Sequence, residues 1–366
     1  MSGHLERQAE DLRQVAGTGV AAIRYGMPWR LAEPEPGRYD WTLWDRAFEA
    51  TAAVGLEPVV DLLHFGLPDH CSGFADPAWI ERFADYTDAF LARYREPRYF
   101  TPVNEPGFTA TMTGMVGAWN DRLQSPRDYA RILSHVVLAN LEALARVRAD
   151  RDGWWLGAEA FNVPVAVSAE AEAELENWRE RAWLVWDLHL GVEPRPAAAA
   201  LVDAMDPTVL ARIDALAVRD RMVAGHDFYP LGLQALGGPA PQWTIDERLA
   251  LYEAEARHWH TRYDVPFWIS ETSNLSLPTS QQTEWLEAFV ARVRSMRADG
   301  LPLCGFCWYS RGDQYDWDTF LTEPSGTVTE VGLFDEQRRA RPVASELTRL
   351  VANGEPGPLA AAVRPA

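Results

Sequence analysis

The sequence predicts an α/β fold, a (β/α)8 barrel of the TIM type that takes up residues 1–366 as a single domain. Two observations carry the prediction. Apolar runs of strand length alternate with helix-period segments from end to end, as parallel βα units require, and there are enough of them to favour a closed barrel over an open sheet. No internal repeat or long low-complexity linker breaks the alternation, and 366 residues suit one barrel with its helical layer.

The helices are marked by caps followed by apolar residues three and four apart. Asp76-Pro77 opens one that carries Trp79, Phe83, Tyr86 and Phe90 on one face. Ser125-Pro126 opens a second with Tyr129, Ile132, Leu133, Val136, Val137, Leu141 and Leu144. Thr279 opens a third through Trp285, Phe289, Val293 and Met296, with Gly300 placed to end it in a left-handed cap. Weaker patterns cover 3–16, 42–54, 169–190, 246–263 and 342–352, with an extra helix at 207–222 after Asp206. Strand-length runs fall near 20–25, 57–64, 98–103, 154–160, 226–230, 266–271 and 302–309. The Ala-rich stretch Pro194 to Leu201 and the Gly/Pro patch Leu236 to Gln242 read as loops. Eight principal helices thus meet only seven strands, because the helix at 3–16 precedes any strand. The barrel's first strand is expected to be missing from this chain, through a late start in preference to replacement by the tail Pro358 to Ala366.

Composition excludes several function classes. With 34 basic and 53 acidic residues the net charge is −19, which repels phosphate backbones and anionic lipid, so neither nucleic acid nor membrane is an expected partner. No run approaches the ~20 apolar residues of a membrane span. The chain contains no Lys, which removes Schiff-base chemistry, pyridoxal phosphate anchoring and a P-loop lysine. Met1 to Arg13 lacks the apolar core of a secretory signal, and Cys71, Cys304 and Cys307 are too few for a disulfide framework, so a cytoplasmic protein is expected. Cys304-Gly-Phe-Cys307 lies within the apolar run Leu301 to Trp308 and reads as structural in preference to redox-active. None of the eight His has metal-ligand spacing, so no metal and no cofactor are expected. Gly17-Thr-Gly19 imitates a dinucleotide loop but follows a helix and precedes a strand, the reverse of the required order. A homo-oligomer is left open.

In a parallel barrel the C-terminal strand ends converge on one mouth. Two apolar runs end in Glu: Tyr99-Phe-Thr-Pro-Val-Asn104-Glu105-Pro106 and Pro266-Phe-Trp-Ile-Ser-Glu271. Cleaving a glycosidic bond needs two carboxyl groups, one protonated and one ionised. Each Glu also has a bland reading, as a solvated strand end, a helix cap or an arginine partner. Glu159, closing the run from Trp154, is a third carboxylate, read as structural or as tuning Glu105.

Asn104-Glu105-Pro106 resembles the acid/base motif of clan A glycoside hydrolases, and Ile269-Ser-Glu271 their nucleophile strand. Further matches resemble glycoside hydrolase family 1 within that clan, the β-glucosidase-like family, in divergent form. They are Leu62-Leu-His64-Phe-Gly-Leu-Pro68, Arg24-Tyr-Gly-Met-Pro-Trp29, Asp227-Phe-Tyr229, and Trp308 followed by Asp313-Gln-Tyr-Asp316-Trp317, while Glu33-Pro-Glu-Pro-Gly37-Arg-Tyr-Asp40-Trp41 resembles a connection common across the clan. The resemblance spans residues 20 to about 335. It implies Glu105 as acid/base and Glu271 as nucleophile, with Arg24 and Tyr229 supporting Glu271. It also implies His64, Asn104, Trp308, Asp316 and Trp317 as substrate-binding residues. The family's two catalytic Glu lie on strands four and seven; here they fall on the third and sixth, an offset that one absent strand before residue 20 removes. Departures are the lack of a sugar-gripping Gln, Phe65 in place of Trp, Gly107 where an aromatic is usual, and Asp316 in place of Glu.

The expected activity is retaining hydrolysis of a small, β-linked glycoside by double displacement, which requires the two carboxyl groups to lie about 5–5.5 Å apart. Two alternatives use the same residues: a transglycosylase or small-molecule biosynthetic enzyme, and a sugar-binding barrel without catalysis.

Overall fold

The computed structural model describes residues 3–354. Seven strands form one parallel sheet in chain order: β1 (Ala22–Gly26), β2 (Glu57–Leu63), β3 (Tyr99–Val103), β4 (Trp154–Leu156), β5 (Met222–Asp227), β6 (Phe267–Thr272) and β7 (Leu303–Trp308). Every neighbouring pair is parallel, and β1 and β7 are the two ends of the order. Among the described residues no strand precedes β1, as the helix count predicts; the tail weighed as a substitute, Pro358 to Ala366, lies outside them.

The principal helices are α1 (Gln8–Gly17), α2 (Thr42–Val54), α3 (Ala78–Arg93), α4 (Pro126–Asp150), α5 (Leu184–Leu190), α6 (Ile245–Tyr263), α7 (Gln282–Ala298) and α8 (Pro342–Ala352). Of the openings read from the sequence, Asp76 accepts from Ala78 N at 3.1 Å, whereas Thr279 begins a 3-10 turn and α7 starts at Gln282 without a side-chain cap. Ser125 accepts from Asp128 N with Pro126 in the first helical position, and Thr244 with Glu247 closes a full capping box on α6. Gly300 follows α7 with φ 90°.

Several boundaries differ from the sequence reading; the strand expected at 154–160, for one, ends at Leu156. The helix expected at 169–190 is three pieces, Ala169–Glu172, Leu175–Ala182 and α5. The first two bury only Ala171, whereas every residue of α5 is buried, so no continuous apolar stripe binds them into one rod. The strand expected at 226–230 begins four residues earlier, at Met222, and the helix before it stops at Leu216. All six residues of β5 are buried, Gly225 and His226 included, so polar and small residues masked a core strand. Within the Pro194 to Leu201 loop, a 3-10 turn and a short helix begin at Pro196 and Ala199.

Two cores hold the assembly. The larger lies between sheet and helices, where Trp29, Trp44, Trp79, Trp259 and Trp285 are fully buried; this accounts for much of the tryptophan content. A second, inside the barrel, joins Val59, Leu156, Val223, Trp268 and Cys304 from five different strands. Cys304 therefore sits in packing, and all three thiols are free, so the structural reading of the Cys304/Cys307 pair stands on burial. At Gly225 a Cβ would lie 1.8 Å from the Gly157 carbonyl oxygen; only glycine permits β4 and β5 to approach this closely. No described helix is long and apolar enough to cross a membrane.

Candidate active site

The strand ends deliver four carboxylates to one buried cluster. Glu105 follows β3, Glu159 follows β4, Asp227 ends β5 and Glu271 lies near the end of β6. Backbone bonds tie the ends together: Glu105 N donates to the Ala158 carbonyl at 3.0 Å, Asp227 N to the Glu159 carbonyl at 2.8 Å, and Phe228 N to the Glu271 carbonyl at 3.0 Å. Their exposures are 8% (Glu105), 5% (Glu159), 4% (Asp227) and 6% (Glu271), low enough that a charge on any of them needs a partner.

Glu271 has partners for an anion. The Arg24 guanidinium pairs with its Oε1 and the Tyr229 hydroxyl donates to its Oε2. Arg24 in turn donates to Asp61 Oδ2 at 2.9 Å and to Asn104 Oδ1 at 2.8 Å. His64 Nδ1 donates to the same Asp61 oxygen at 2.7 Å, leaving Nε2 to face Asn104 Nδ2 at 3.5 Å. One connected network thus runs from Glu271 through Arg24 and Asn104 to His64.

Glu105 has the opposite environment. Burial pushes its carboxyl well above the usual range, and the negative charges of Asp227 and Glu159 push it the same way; Arg24 pulls weakly against them. Asp227 is raised too, chiefly by burial, with Arg24 and the Ser270 hydroxyl opposing. Glu159 is pushed up to about 8 by burial, against the pull of backbone N–H bonds from Gly107 and Ala160. The bland reading of Glu105 as a helix cap fails: it precedes the short helix Pro106–Ala110 but makes no side-chain capping bond.

The structure brings together Glu105, Glu271, Arg24, Tyr229, Asn104 and His64, six of the nine residues singled out in the sequence. Trp308 pairs in register with Thr272, next to Glu271; it is buried, and its indole N–H donates to the Val331 carbonyl at 3.2 Å. Trp317 belongs to an aromatic group with Phe65 and Trp119, at centroid distances of 6.3 and 6.1 Å, and Phe65 in turn lies 4.5 Å from the His64 ring. Asp316 is directed elsewhere: its Oδ1 accepts from Ser325 N, Gly326 N and the Ser325 hydroxyl, which fastens its own loop.

Two site carboxylates escaped the sequence reading as candidates. Asp227 stands in the quoted Asp227-Phe-Tyr229 motif, and the rule that found Glu105, a carboxylate closing an apolar run, applies equally to it. Asp61 lies within the run of β2 and offers no such signal, since nothing local shows that it meets Arg24.

Residues 2–181 match the model of glycosyl hydrolase family 1. Over this stretch, just under half of its length, the chain resembles that family. It is 25% identical over 178 residues to an aryl-phospho-beta-D-glucosidase of Bacillus subtilis, covering 43% of this chain and 37% of that protein. It is 30% identical over 121 residues to a coniferin beta-glucosidase of Pinus contorta, covering 30% and 23%. These matches therefore span well under half of the relatives' own length. A solved family 1 β-glucosidase of Thermotoga maritima superposes with a TM-score of 0.83 at 16% identity, over 96% of this chain and 87% of that one, which establishes the shared barrel fold.

Proposed function

We propose that the protein is a retaining glycoside hydrolase acting on a small β-linked glycoside. Glu271 attacks the anomeric carbon and Glu105 protonates the leaving oxygen, and Glu105 then activates water to release the glycosyl-enzyme intermediate. The observation that carries the reading is the contrast in surroundings between two buried carboxyls at strand ends. Glu271 lies between Arg24 and Tyr229, while Glu105 lies against Asp227 and Glu159. Environments that drive two titratable groups apart assign the acid and the anion.

In this reading Arg24 and Tyr229 orient Glu271, and His64 and Asn104 offer polar atoms to sugar hydroxyls. Trp308 and Trp317 present apolar ring faces to the sugar. Asp316 is the weakest member of the set, because its oxygen is committed to the 325–326 turn. The family match and the names of the β-glucosidase relatives support the substrate class. We place the activity in the cytoplasm, in keeping with three free thiols.

The test is product analysis on aryl β-glycosides followed by proton NMR. Release of free sugar, appearing first as the β-anomer, supports the reading. The α-anomer as first product indicates inversion, transfer to an acceptor in place of water supports a transglycosylase, and no turnover of any aryl glycoside removes hydrolysis.

A further inference from the structure

The carboxylate of Glu159 is buried and accepts from three backbone N–H groups: Gly107 at 2.7 Å, Phe108 at 3.3 Å and Ala160 at 3.0 Å. Two of these belong to the first turn of the helix Pro106–Ala110, which starts immediately after Glu105. A helix start leaves its first amides without intrahelical partners. Here Pro106 has no N–H, Thr109 N returns to the Glu105 carbonyl at 2.8 Å, and the two that remain, Gly107 and Phe108, both go to Glu159.

The residue preceding a helix commonly supplies this cap from its own side chain. Glu105 does not, and its backbone is left-handed (φ 41°, ψ 65°), a conformation unfavourable for a residue with a Cβ. Gly107 completes the arrangement. A Cβ there would lie 3.0 Å from Glu159 Oε1 and 3.2 Å from its Cδ, so a larger residue would displace the capping carboxylate.

We propose that Glu159 is a positioning residue for Glu105: a carboxylate from the neighbouring strand caps the turn, holds Glu105 in its left-handed backbone and releases the Glu105 carboxyl to face the mouth. The inference rests on the glycosidase reading for its kinetic test and on the backbone alone for its structural one.

The experiment compares the intact chain with Glu159→Gln and Glu159→Ala on two glycosides of the same sugar. One carries a 2,4-dinitrophenyl group, which departs without protonation; the other carries an alkyl group, which needs the acid. The expected result is a loss of about 10–100-fold in kcat/KM on the alkyl glycoside and less than about threefold on the dinitrophenyl glycoside. A role confined to stability lowers both alike, so equal losses, or none, overturn the proposal. If Glu159→Ala fails to fold, Gly107→Ala disturbs the same cap with one methyl group and should give the same split. Should wild type cleave neither glycoside, the glycosidase reading falls, and a crystal structure of Glu159→Gln decides the positioning role. Glu105 leaving the left-handed region to cap its own helix supports it, and an unchanged Glu105 backbone overturns it.

Discussion

Asp227 stands opposite Glu271 in the β5–β6 register, although Phe228 between Asp227 and Tyr229 turns its own ring into the helical layer against Tyr252. The pairing gives neighbouring strand ends two carboxylates, of which Glu271 has the Arg24 cation at one oxygen and the Tyr229 hydroxyl donating to the other. Neither oxygen of Asp227 accepts a well-formed hydrogen bond, and the Glu105 carboxyl is set against it. Two buried carboxyls in contact are reconciled by sharing a proton. Asp227 thereby belongs to the environment of Glu105 even though it lies beside Glu271.

Asp227→Asn should therefore shift the pH profile. In the proposed reaction Glu105 acts as an acid while protonated, so its contribution is present below its raised pKa and is lost as pH rises through it. Removing the Asp227 charge lowers that pKa, and the basic limb of kcat/KM should move down by about one unit, a differential interaction of ~1.4 kcal/mol. An unmoved limb would separate Asp227 from Glu105.

Arg24 is shared by Asp61 and Glu271, all three side chains being nearly inaccessible. Arg24→Met leaves two buried carboxylates without their cation and should destabilise the fold by about 3–5 kcal/mol in denaturant melts. Adding Glu271→Gln removes one of those charges, so the double variant should recover part of the loss. Strict additivity of the two substitutions would contradict the network.

Stability should also depend on pH through the raised carboxyls. A carboxyl whose pKa is higher in the folded than in the unfolded chain binds its proton more tightly when folded, so its contribution is full at low pH and declines as pH rises towards the folded pKa. For Glu159, raised to about 8, the window runs from about 4.5 to 8, and Glu105 and Asp227 act in the same direction. Glu105→Gln should melt close to wild type at pH 4.5 and above it at pH 8, by roughly 2–4 °C per kcal/mol gained. A difference independent of pH would mean that Glu105 is not protonated by its surroundings.

Much of this was legible in the residues because barrel geometry turns sequence order into spatial position. A carboxylate that closes an apolar run must reach the mouth, which identified Glu105 and Glu271 and, applied without exception, includes Asp227. Asp61 was hidden because an isolated charge inside a strand reveals nothing of the Arg24 and His64 that meet it from elsewhere. Gly107 was visible only as a departure from a motif; its reason, room for Glu159, exists only between two strands. The late boundary of β5 has the same origin, since Gly225 is demanded by contact with Gly157 and not by anything local.

The most direct measurement is covalent trapping. A 2-deoxy-2-fluoro glycoside with an activated leaving group slows both steps and lets the glycosyl-enzyme accumulate. Mass spectrometry of peptides from the inactivated protein should find one added fluorosugar, attached to Glu271, and no label in Glu271→Gln. A label on Glu105, Glu159 or Asp227, or inactivated protein without a covalent sugar, would contradict the assignment of Glu271 as the nucleophile.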